Sequence, residues 1–452
     1  MILHAANALL PTGWAKDVRI RIEGGRIVEV TAGVPGQGPD LGHGAILPAP
    51  VNLHSHTFQR AMAGMTEART AGQDSFWTWR TLMYRFLERL SPEDVQAIAA
   101  QAMVEMAESG FASVCEFHYL HHPVGGGTYA DLSEMSGRII AAAGETGFGL
   151  THLPVIYEQG GVDGRALAGG QLRFGSTPEA YARLLEGAQA ALAALPDGQL
   201  GVAPHSLRAV SLPTLSRVAG MAPGGPVHIH IAEQVAEVTE VQSAWGARPV
   251  EWALANLPLD QRWCMIHATQ MTPAETIALA RTGAVAGLCP ITEGNLGDGI
   301  FNGPDWLAAG GAFGVGSDSN VLISMPEELR TLEYSQRFNL KARAVMADAT
   351  RSTGRLLWDG AAAGGARAGG RETGAIAPGL WADLLALDTT DLRLEGLKGD
   401  TLLDAFLFVG RDGLVTDLWS AGRHIVKDSR HIARDAISTR FRAVMQRLRG
   451  AL

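Results

Sequence analysis

The feature that most constrains this chain is a rhythm of short apolar runs separated by amphipathic stretches. Eight runs stand out, at residues 50–54, 111–117, 150–156, 200–204, 227–231, 263–267, 284–288 and 312–316. Segments such as 92–109 and 178–195 lie between them with helical spacing of apolar residues. Eight β/α units predict an α/β fold, a (β/α)8 TIM-like barrel. The chain's 452 residues exceed one barrel and leave room for a smaller unit. That unit shows at both ends. "DVRIRIEGGRIVEV" reads as a hairpin around Gly24-Gly25, and 376–388 and 415–426 read as strands with turns. The expected organisation is a small β-sandwich from 1–47 and 373–429, a barrel over 48–372, and a helix over 430–452. The Gly/Ala-rich stretch 361–370 reads as a loose connector.

In such a barrel, chemistry gathers at the C-terminal strand ends. The first run leads into His54 and His56, which point the same way in an extended strand. The fifth ends in "VHIHIAEQ", with His230 and Glu233; the sixth ends at His267; the eighth leads into "GVGSDSN", with Asp318. Imidazoles and a carboxylate converging from four strands suit one divalent metal, most simply Zn2+, with Fe2+ or Mn2+ as alternatives. Such an ion makes hydroxide available near neutral pH, and nearby carboxylates can move protons. Glu233 could instead be a helix N-terminal charge, and His267 a core histidine. His228 is expected to point away from His230, towards the helices. His121, His122 and His152 read as structural or surface residues, and His118 is left open.

The order H-x-H, H-x-x-E, His, Asp resembles the amidohydrolase superfamily, in particular its mononuclear deaminase branch. The resemblance spans essentially the whole chain. It implies that His54, His56, His230 and Asp318 bind the metal. Glu233, His267 and Asp318 would be catalytic, with Glu233 shuttling protons and His267 polarising the attacked group or water. The metal-bridging lysine usual after strand four of binuclear relatives is missing from "VAPHSLRAV".

Loops at the same face carry the candidates for specificity. Gln59 follows the histidine pair; Arg80 sits in an aromatic-rich loop, "DSFWTWRTLMYR"; "CEFHYLHH" carries Tyr119; "PHSLRAV" carries His205 and Arg208. Two arginines and a tyrosine suggest a small anionic substrate, although Arg80 and Arg208 could pair with structural acids. "HTFQRAMAG", "CEFHYLHH" and "CPITEGNLGDG" are similar to loops of superfamily members that deiminate a linear amidine. That resemblance implies Arg80, Tyr119 and Arg208 on substrate carboxylates, with Gln59, His205 and Glu233 around the amidine. Alternatives are aminohydrolysis of guanine, an adenosine derivative or a chlorotriazine, a lactonase or amidase activity, or a non-catalytic scaffold.

A net charge of −9 without a basic block argues against nucleic acid. No run approaches a membrane span, and the start does not read as a signal peptide. The helix at 430–449 is expected to pack on the body rather than on a membrane. Three widely separated cysteines fit a reducing cytoplasm. A homodimer is the usual prior for soluble oligomers.

Overall fold

The structure is a computed structural model describing residues 1–38, 40–67, 76–411 and 413–450, without the side chains of 76–78. The N-terminal strands are β1 (Ile2–Leu10), β2 (Gly13–Glu23), β3 (Arg26–Thr31) and β4 (Leu41–Pro48). The parallel strands follow: β5 (Val51–Ser55), β6 (Ser113–His118), β7 (Gly149–Ile156), β8 (Gln199–Leu200) and β9 (Ala203–Pro204). After them come β10 (Val227–Ile231), β11 (Trp263–His267), β12 (Val285–Leu288) and β13 (Ala312–Val315). The chain ends with β14 (Leu384–Leu387), β15 (Val415–Ser420), β16 (Arg423–Lys427) and β17 (Arg430–His431).

The parallel strands pair in sequence order, β5-β6-β7-β8 with β9 on β7, and β10-β11-β12-β13. Parallel bridges Val202↔Val227 and Ser55↔Asp318 join these two sheets at both seams, closing a ring. Nearly every residue of these strands is buried, as expected of parallel strands covered on both faces. The first and last strands are stitched by polar groups. Asn52 and Ser317 exchange hydrogen bonds, Nδ2 to Oγ at 2.6 Å and N to Oδ1 at 3.0 Å. Asn320 donates to Ser55 Oγ and to the His56 carbonyl.

The two chain ends meet in one eight-stranded sheet, ordered β17-β16-β15-β14-β4-β1-β2-β3. It has its own small core around Leu3, Ile20, Ile46, Leu384 and Trp419. Buried ion pairs fasten this sheet to the barrel. Arg371 reaches Asp383 and Asp197, both at 2.7 Å, and Arg423 also pairs with Asp197. The final helix, Arg434–Arg449, buries Ile437, Met445 and Leu448, and Ser438 bonds Gln101 on helix Pro92–Ser109. No described helix is long and apolar enough to cross a membrane.

Three expectations are corrected. The supposed connector 361–370 is mostly helix, Thr353–Ala368. Its glycines allow close approach to the barrel: a Cβ on Gly364 would stand 1.8 Å from the Phe313 carbonyl oxygen. The aromatic stretch 74–85 is, from Phe76, the start of helix Phe76–Leu87, while Asp74 and Ser75 lie outside the described residues. His228 lies near His54, and its Nε2 bonds the Ala368 carbonyl at 2.8 Å. Residues two apart share a strand face, so His228 lies on the side of His230.

Candidate active site

Strand geometry assembles the centre. His54 and His56 leave the end of β5, His230 lies in β10, His267 closes β11, and Asp318 follows β13. Several of these ends are held in left-handed backbone: φ is +49° at Ala232, +68° at His267, +44° at Asp318 and +56° at Asn320. Such conformations are costly for residues with a Cβ and gather where surrounding structure imposes them.

His56 Nδ1 donates to the Phe117 carbonyl at 2.8 Å, and His230 Nδ1 to the His205 carbonyl at 3.1 Å. Those bonds leave each Nε2 without a proton in the neutral ring. Both Nε2 atoms face the centre: His230 Nε2 stands 3.0 Å from His54 Nε2, and His56 Nε2 stands 3.3 Å from Asp318 Oδ1. Asp318 Oδ1 is also 3.5 Å from His54 Nε2. Burial, reinforced by neighbouring imidazoles, holds His54 and His230 well below the ordinary histidine range. Converging lone pairs on neutral rings beside one carboxylate repel one another unless a cation lies between them. Two overlapping triads, His54 with His56 and Asp318 and His54 with His230 and His267, each bring their ligand atoms within 4.8 Å of one another, a donor set that suits a divalent ion.

His267 stands slightly apart. Its Nε2 lies 3.8 Å from Asp318 Oδ2 and 3.9 Å from Glu233 Oε1. Its Nδ1 meets Glu293 Oε1 at 3.2 Å. Burial opposes its charge, but Glu233, Glu293 and Asp318 outweigh burial and raise its pKa to about 10. Burial pushes Glu233 up to about 7, against the pull of His267 and Arg208.

His56, His230, Glu233, His267 and Asp318 line a cavity of about 800 Å3, counting its open mouth, and His54 lies buried against His230. Gln59, Arg80, Tyr119, His205 and Arg208 line it as well, so every site residue expected from sequence comes to one place. Gln59 Nε2 donates to the Tyr119 hydroxyl at 2.7 Å. Arg80 donates to the hydroxyls of Tyr84 and, at 3.2 Å, Tyr157. Burial opposes the charge on Arg208, while Glu237 and Glu233 favour it and keep its pKa raised. His118, His121, His122 and His152 are all buried.

Sequence reasoning missed Glu293, Tyr157 and the Asn52–Ser317–Asn320 stitch. "CPITEGNLGDG" carries Glu293, and "GVGSDSN" carries Ser317 and Asn320. Their partners are settled only when the ring closes.

A sequence profile of the amidohydrolase family matches residues 45–425. A profile described as the N-terminal domain of formimidoylglutamate deiminase HutF matches residues 1–44. A formimidoylglutamate deiminase of Pseudomonas aeruginosa is 48% identical over 99% of both chains. The crystal structure of an amidohydrolase from Brucella melitensis superposes with TM-score 0.96 at 48% identity, covering 99% of each chain. An adenosine deaminase from Xanthomonas campestris with bound zinc shares the fold, with TM-score 0.83 at 21% identity over 99% of this chain and 98% of its own. The chain belongs to the amidohydrolase family, and within it to the formimidoylglutamate deiminases.

Proposed function

We propose that the chain hydrolyses N-formimino-L-glutamate to N-formyl-L-glutamate and ammonia, a step of histidine degradation. The observation that carries this reading is a single cavity in which Arg80 and Arg208 stand beside the His/Asp centre. Two guanidinium forks suit a substrate with two carboxylates. The 48% identical Pseudomonas relative bears the matching name.

In this reading His54, His56, His230 and Asp318 hold one divalent ion, zinc being the simplest choice for the donor set. When bound, such an ion lowers the pKa of water towards neutrality and polarises the carbon under attack. Arg80, Arg208 and Tyr119 hold the carboxylates. Gln59 and His205 flank the formimino group. His267 orients the attacking water, and Asp318 takes its proton. Water oxygen bonds to the carbon of the protonated formimino group, Glu233 delivers a proton to the terminal nitrogen, and the C–N bond to that nitrogen breaks as the new hydroxyl gives its remaining proton back to Glu233 and becomes the formyl oxygen. Ammonia departs, and the bond between carbon and the glutamate nitrogen survives. The raised pKa of Glu233 suits a group that both accepts and returns a proton near neutrality.

Guanine, adenosine derivatives and chlorotriazines offer the arginines no carboxylate, and the full donor set argues against a non-catalytic scaffold. The reading also takes the chain-end sheet as a small β-sandwich over 1–47 and 373–429, around a barrel over 48–372 and followed by a helix over 430–452. Three buried free thiols support a reducing cytoplasmic setting, and a homodimer is the arrangement we expect. Product analysis by mass spectrometry tests the reaction. N-formyl-L-glutamate with ammonia supports it; free glutamate from the same substrate contradicts deimination.

A further inference from the structure

Tyr157 follows the end of β7 at the wall of the cavity and is 4% exposed. No substrate role was expected for it. Its ring packs against His205 and Phe174, with centroids 4.6 and 5.6 Å away. Its hydroxyl oxygen accepts from Arg80 Nη2 at 3.2 Å and from Gln171 Nε2 at 3.2 Å. Both partners can only donate. The guanidinium has no acceptor, and the Gln171 amide is oriented by its own Oε1, which accepts the Ala168 N–H at 3.2 Å.

A phenol has one proton to give. With two donors already on its oxygen, Tyr157 must send its own O–H elsewhere. No described protein acceptor lies within hydrogen-bond reach of it. Tyr119 differs: its hydroxyl accepts from Gln59 and reaches Met83 Sδ at 3.6 Å, so its proton has a protein partner, though a weak one. A buried O–H without an acceptor is costly, and in a binding cavity the ligand can supply the missing partner.

We infer that Tyr157 is a further substrate-binding residue, whose hydroxyl donates to the substrate carboxylate that Arg80 also meets. The inference deepens the proposed function and rests on it. Gln171 becomes a positioning residue: its amide donates to the tyrosine oxygen and so favours pointing the phenol proton at the ligand. One carboxylate then receives a charged fork and a neutral donor from adjacent side chains. An amide at that carboxylate keeps one carbonyl acceptor but loses the charge and the second acceptor oxygen, so it cannot satisfy both donors as the carboxylate does.

The test is steady-state kinetics of Tyr157→Phe with N-formimino-L-glutamate and with its two monoamides, one at each carboxylate. Phe keeps the ring packing and removes only the hydroxyl. KM for the dicarboxylate is expected to rise roughly 10- to 100-fold, with a smaller fall in kcat. On one of the two monoamides the difference from wild type should shrink to a fewfold. In an Arg80→Gln background, Tyr157→Phe should still raise KM further. An unchanged KM overturns the inference. So does an equal rise on all three compounds, which would indicate packing alone, or no added effect in the Arg80→Gln background, which would place the whole effect in Arg80. Wild-type protein that releases no ammonia overturns the proposed function, and this inference with it. Active wild type with an unaltered variant overturns the Tyr157 role alone.

Discussion

The two ends of the barrel both bury charge, and they treat it in opposite ways. At the N-terminal end of the strands, Arg371 is 4% exposed and meets Asp383 with two nitrogens and Asp197 with a third bond. Arg423 adds a bidentate pair to Asp197. Each charge faces its opposite. At the C-terminal end, Glu233, Glu293 and Asp318 surround a single imidazole, and three neutral histidines aim ring nitrogens at one point. Glu116 Oε2, His54 Nδ1 and Gln59 Oε1 are buried there without a hydrogen-bond partner. One end is arranged to fasten a sheet to a barrel. The other is arranged to be completed by an ion and a substrate, at a cost in stability.

The strongest way to break this contrast is Asp318→Asn. Losing the proposed metal-binding and proton-accepting group is expected to lower kcat/KM roughly 10^4-fold, while urea unfolding of metal-free protein shows little or no loss of stability. A large destabilisation of the metal-free variant would mean that the centre is structural. Arg371→Leu should do the reverse. It leaves Asp383 buried without its cation, so the midpoint in urea should drop by the equivalent of about 3–5 kcal/mol, and the folded fraction should keep its kcat.

Glu116 sharpens the comparison through pH. Burial raises its carboxyl from 4.5 to about 7 despite hydrogen bonds from Thr57. The folded protein therefore holds this proton in a window where the unfolded chain has lost it. Stability from this group is full below about 4.5 and falls as pH rises through 7, by up to ~3 kcal/mol. Glu116→Gln removes that slope, so its stability relative to wild type should rise between pH 5 and pH 8 in urea titrations. A parallel pH dependence in both proteins would contradict the assignment. The smallest effect is expected from Arg423→Gln. Its side chain is 36% exposed and Asp197 keeps Arg371, so the loss should be about 1 kcal/mol.

Much of this is legible in the sequence. The parallel strands are short apolar runs bounded by turns, one of which, 200–204, splits into β8 and β9, and the proposed metal ligands sit at or just past strand ends, so strand order alone brings them together. The helix Thr353–Ala368 was not legible, because its glycines weaken helix propensity and matter only as close approaches to Phe313 and Val51. Helix Phe76–Leu87 was masked by aromatic composition. His228 was misplaced through its strand phase. Glu293, Tyr157 and the Asn52–Ser317–Asn320 stitch depend on residues far apart in sequence meeting after the ring closes, which no local pattern encodes.

The most direct test of the account is ammonia release by the metal-loaded protein from N-formimino-L-glutamate, with guanine and adenosine assayed beside it. The account predicts rapid turnover of the dicarboxylate and none of the neutral rings. Turnover of a ring, with no ammonia from N-formimino-L-glutamate, would contradict the reading of the two-arginine cavity.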